Sequence, residues 1–158
     1  MTTTLTNQRT RNYIAGTVTA ENETITLQDI LSAGNLSIQL YGTWTGTITF
    51  DTANQSLAYY TSNAAGNWTV NFRGTSSVTF NNAFANNTSI SCTLMTTQGG
   101  TAYYNSAITV DGNSVTPKWQ GGTAPSAGNA SGIDLYAFTI IKTAANTYTV
   151  LGSQTQYA

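Results

Sequence analysis

The chain has 158 residues, enough for one domain with an ordinary core, or for a domain with an arm. Only 7% of its residues are Asp, Glu, Lys or Arg, against roughly 25% in an ordinary globular protein, and the net charge is −1. The basic residues Arg9, Arg11, Arg73, Lys118 and Lys142 are scattered and form no stripe that could neutralise phosphates, which argues against a nucleic-acid partner. No apolar run approaches the roughly 18 residues of a membrane-spanning helix.

Solubility has to come from hydroxyls and amides, because the chain carries 31 Thr, 16 Asn and 13 Ser. Threonine also favours strands, since its β-branched side chain fits a pleated surface. A surface this close to neutral resists association poorly by charge alone, which suits an oligomer or a lattice-bound protein.

Residues 1–24 are polar with isolated apolar positions at Leu5, Tyr13, Ile14 and Val18, and read as an extended N-terminal arm lying on a partner subunit. The arm has no apolar stretch of the kind a secretory signal needs, so assembly in the cytoplasm of a producing cell is expected. Leu27 to Leu31 has the pattern of a single helical turn, ended by Ala33-Gly34-Asn35. From there the period switches to two, the mark of half-buried strands. Leu36, Ile38 and Leu40 alternate with polar residues, as do Ile48 and Phe50, and Gly42 and Gly46 suggest a hairpin with Trp44 at its tip. Further strands are expected at Leu57–Tyr60, Trp68–Phe72, Val78–Phe80, Ile90–Leu94 and Ala107–Val110.

Asp111-Gly112-Asn113 is a turn signal, because glycine accepts a positive φ without a Cβ clash. Val115–Trp119 returns as a strand that Pro117, lacking a backbone donor, makes an edge or irregular one. A loop rich in Gly, Ala, Ser and Pro spans Gly121–Gly132. Ile133–Ile141 is the clearest strand, with Leu135 and Ile141 on one face and Tyr136, Phe138 and Ile140 on the other. Two apolar faces imply a central strand or an oligomer contact. Tyr148–Leu151 closes the sheet. Many short strands with frequent turns predict an all-β fold, an antiparallel β-sandwich of jelly-roll type over residues 25–158.

The residues offer little chemistry. Without histidine there is no Ser-His-Asp arrangement and no Cys/His zinc site. Cys92 lies in phase with Ile90 and Leu94 and reads as a small buried hydrophobe. Asp111 reads as a turn former, and Asp134 as a partner for Lys118 or Lys142 across strands. No catalytic residue, metal ligand or cofactor site is expected. The remaining candidates are contact residues. Tyr59 and Tyr60 are adjacent in a strand, as are Tyr103 and Tyr104, so one of each pair faces away from the core. Exposed aromatics anchor interfaces and stack on sugars. Arg9, Arg11, Tyr13, Trp44, Tyr59, Tyr104 and Trp119 form the candidate set.

Two stretches carry a resemblance. Leu36–Phe50, LSIQLYGTWTGTITF, resembles an N-terminal strand pair of small phage structural proteins. Residues 97–158 resemble a module of tail-fibre-like virion proteins of phages that infect cyanobacteria, above all in Val115-Thr-Pro-Lys-Trp119-Gln-Gly-Gly-Thr-Ala-Pro125. The resemblance implies a non-enzymatic virion component and brings no catalytic residues with it. The chain has no fibre shaft of repeats or heptads, which shifts the expectation to a capsid decoration (cement) protein on the virion surface. A short tail or tail-fibre component binding host surface glycans is the alternative. Expected partners are other virion proteins, major capsid or tail, and further copies of the chain in a homotrimer.

Overall fold

The alternation of apolar and hydroxyl side chains becomes strand over most of the region that the structure, a computed structural model, describes: residues 38–41 and 46–158. In chain order the strands are β1 (Ile38–Tyr41), β2 (Thr47–Asp51), β3 (Leu57–Asn63), β4 (Trp68–Arg73), β5 (Thr88–Thr97), β6 (Asn105–Val110), β7 (Asn113–Val115), β8 (Lys118–Trp119), β9 (Ile133–Ala144) and β10 (Thr147–Tyr157). One helical turn, α1 (Phe80–Ala83), lies between β4 and β5. The expected arm at residues 1–24 and the helical turn at Leu27–Leu31 lie outside the described residues.

The strands form two sheets packed into an all-β sandwich, one ordered β1-β3-β5-β9-β10-β8 and the other β2-β4-β6-β7. The sheets are mixed, which corrects the expectation of purely antiparallel, jelly-roll pairing. Successive strands β1 to β6 alternate between the two layers, so a strand meets its sheet neighbour only after a full circuit and runs parallel to it. The pairs β1–β3 and β3–β5 are parallel in one layer, and β2–β4 and β4–β6 in the other. The chain thus winds three times around one core, with Ile48, Val70 and Ile108 aligned across the circuits and Phe50, Phe72 and Val110 aligned beside them. The hairpin expected around Trp44 is likewise corrected: β1 and β2 belong to different sheets.

Antiparallel pairing enters where the circuits end. β6 and β7 form a hairpin across Asp111 and Gly112, whose φ of 51° and 78° match the turn read from the sequence. β9 pairs with β5 on one side and β10 on the other, making it the central strand expected. The stretch Val115–Trp119 divides at Pro117: β7 ends the four-stranded sheet and β8 ends the six-stranded one. Both are edge strands, and Pro117, which has no backbone donor, falls in the gap between them.

Between the layers Trp68 meets Tyr136 edge-on with ring centroids 5.7 Å apart, and Phe72 meets Phe138 at 5.2 Å. Phe50, Val70, Leu94, Ile140 and Val150 fill the remaining space. Each such side chain contributes roughly 1.5–3 kcal/mol on burial. The strand expected at Val78–Phe80 is replaced by α1. Thr79 caps it, its hydroxyl accepting from the Asn82 amide at 3.2 Å, and Phe80 turns inward against Phe84 and Tyr148.

Candidate functional site

All but Lys118 of the charged groups among the described residues serve the fold. Asp51 and Arg73 face each other on β2 and β4 and form an ion pair at 2.5 Å. Asp111 extends its carboxylate to the start of α1 and accepts from the Phe80 amide at 2.6 Å and the Asn81 amide at 3.0 Å. Lys142, buried on β9, donates at the other end of the same turn to the carbonyls of Asn81 at 2.5 Å and Phe84 at 2.8 Å. One helical turn is therefore held between an anion at its amides and a cation at its carbonyls, the polarity that favours both.

Asp134 is fully buried and corrects the cross-strand pairing expected with Lys118 or Lys142. Its carboxylate accepts from Gln98 Nε2 at 2.8 Å and from the Asn129 amide at 3.1 Å. Burial raises its pKa from the ordinary carboxylate value, and these hydrogen bonds only partly offset that. Gln98 also grips Tyr103, donating to its carbonyl at 2.7 Å and accepting from its amide at 3.0 Å. This polar knot pins the end of the Gly121–Gly132 loop, and a Cβ on Gly128 would lie 2.2 Å from the Tyr103 carbonyl oxygen. Lys118 is exposed on β8. Among the described residues no group of three metal-ligating side chains comes together. Cys92 is buried in the core as its phase implied, and burial pushes its thiol up to about 12, far from a reactive thiolate.

Of the contact candidates, Arg9, Arg11, Tyr13 and Trp44 lie outside the described residues. The adjacent tyrosines divide as alternation demands. Tyr60 is buried and stacks on Tyr41 at 4.6 Å, while Tyr59 stands on the outer face of the six-stranded sheet. Tyr103 packs against the core, and Tyr104 lies at a surface groove. Trp119 reaches the same groove, between β7–β8 and the loop carrying Pro125. Its ring also rests on Gly152 and lies edge-on to Phe138 at 6.1 Å. The structure thus joins Tyr104 to Trp119. Tyr59 is on β3, four strand spacings from β8, or about 19 Å.

Reasoning from individual aromatics missed a larger feature. The outer face of β3, β5, β9 and β10 contains no charged residue. Its register places Tyr59, Met95, Leu135 and Thr155 in one cross-strand row, with Ile133 and Tyr157 in the next. Leu151 and Tyr157 are 42% and 52% exposed on this face. The signal was present in the outward phase of β5, β9 and β10, which is apolar or hydroxyl-bearing throughout. The outer face of the other sheet is different, carrying Asn71 and the Asp51–Arg73 pair among threonines.

Comparison with protein-family models, with curated proteins and with solved structures finds no match for this chain.

Proposed function

We propose that this chain is a non-enzymatic structural protein of a phage particle, a decoration protein on its exterior that contacts neighbouring virion subunits. The observation that carries the reading is how the few charges are used. Among the described residues all but the exposed Lys118 brace α1, the polar knot and one strand pair, and they leave a broad sheet face with no carboxylate or basic group to repel another protein surface. The resemblance of residues 97–158 to a module of tail-fibre-like virion proteins supports a non-enzymatic virion component, and within that class it favours a tail position over decoration. Quantitative mass spectrometry of purified particles of the phage that encodes the chain tests the reading. Hundreds of copies per particle are expected, together with lower heat resistance of particles lacking the protein. Its absence from purified particles would overturn the reading.

A second reading is favoured by one observation, the meeting of Tyr104 and Trp119 at a single groove lined mainly by neutral residues. Aromatic rings beside amides and hydroxyls suit a neutral glycan. A receptor-binding tail component of this kind would be present in tens of copies, and Trp119→Ala would abolish adsorption to the host while leaving particle assembly intact.

A further inference from the structure

We infer that the outer face of the six-stranded sheet is where two copies of this chain pack, sheet against sheet. Three observations carry this beyond a general affinity for proteins. The first is the contrast between the two outer faces. A sheet facing water normally mixes charge with hydroxyls, as the β2–β4–β6 face does with its Asp51–Arg73 pair. The β3–β5–β9–β10 face instead interleaves Leu, Ile, Met and Tyr with Ser, Thr and Ala.

The second is self-complementarity. A face without charge gives an oppositely charged partner nothing to recognise, yet it can meet its own copy without burying an unpaired ion. The apolar knobs Leu135 and Leu151 lie beside the small Ala137 and the hydroxyls of Thr139 and Ser153. Turned about a two-fold axis, such a surface sets large side chains against small ones at the usual separation of about 10 Å between sheets. A chain of net charge −1 adds almost no repulsion between copies.

The third is size. Four strands about 4.8 Å apart and roughly 30 Å long give a flat footprint on the order of 500 Å². The corrugated accessible area is larger and falls in the range of the roughly 800 Å² per partner of a standard interface. A two-fold contact of this kind is completed by two copies, so it yields dimers in place of the homotrimer expected from the sequence.

The inference draws on the structural-protein reading but is tested apart from it, on the free full-length chain in solution. Sedimentation at tens of micromolar is compared for the wild type, Leu151→Lys, Leu135→Lys and Thr47→Lys. Leu151 is already 42% exposed and accepts lysine without loss of the fold, and Thr47, exposed on the other sheet, is the control. The wild type and Thr47→Lys should sediment as dimers of the 16.7 kDa chain. Leu151→Lys and Leu135→Lys should be monomeric, with circular dichroism unchanged for Leu151→Lys. A monomeric wild type overturns the inference while leaving particle copy number to judge the functional reading. Dimers that survive both lysine substitutions overturn it as well.

Discussion

Gly152 shows how a single missing side chain positions the surface. It is buried on β10 and paired in register with Trp119 on β8. A Cβ there would lie 2.8 Å from Trp119 Cζ3 and 2.9 Å from Cε3, closer than any real contact. The indole therefore lies on a bare stretch of backbone, and from that seat it reaches Phe138 and borders the Tyr104 groove. Gly152→Ala must push the ring outward. Overpacking of this kind costs about 1–3 kcal/mol, so the urea midpoint should fall and tryptophan emission should move to longer wavelength as the ring gains water. An unchanged midpoint and emission would mean that the ring does not rest on Gly152. The sequence told half of this. It marked Trp119 as a contact candidate and Pro117 as an edge signal, but the glycine supporting the ring is far along the chain, and only strand register brings the two together.

At the scale of elements, α1 is too short to persist alone, since helix nucleation is unfavourable and four residues make barely one turn. It persists because Asp111 and Lys142, from two different sheets, hold its two ends. Asp111→Ala removes a cap worth about 0.5–2 kcal/mol. Lys142→Met strands the Asn81 and Phe84 carbonyls, at about 1–3 kcal/mol. Because both act on one element, the double variant should lose less than the sum of the singles in chemical denaturation. Strict additivity would show that the two ends are held independently. The same insertion explains why the winding was not legible. Thr47-Ile-Thr-Phe50, Thr69-Val-Asn-Phe72 and Ala107-Ile-Thr-Val110 are equivalent strands, but residues 74–87 lengthen only the second circuit. A repeat without a fixed period gives no periodic signal. Strand positions could be read from alternation, whereas the parallel direction of pairing depends on which layer receives each strand, and alternation is silent on that.

For the whole molecule, scarcity of charge makes the response to pH unusual. Tyr60 and Tyr136 are buried, and burial raises both phenols well above their ordinary value of 10.0, as it pushes the Cys92 thiol up to about 12 from 9.0. The unfolded chain releases these protons at the ordinary values, while the folded chain keeps them. Above pH 9 the unfolded state therefore binds fewer protons than the folded state, and stability must fall as pH rises. Each group adds about 1.4 kcal/mol per pH unit to the slope once its unfolded value is passed. Asp134 works in the same direction lower on the scale: its raised folded value means that stability falls as pH rises from 3.8 toward that value. Chemical denaturation at about pH 8 and about pH 10.5 should thus show a marked alkaline loss. Tyr136→Phe tests the cause, because it removes one retained proton together with the hydroxyl that accepts from the Asn105 amide. The variant should be less stable at pH 8, yet its stability should fall less steeply above pH 10, by about one proton's worth. A slope equal to that of the wild type would show that the Tyr136 phenol ionises in the folded protein as easily as in the unfolded chain, and that it is not sealed between the two sheets.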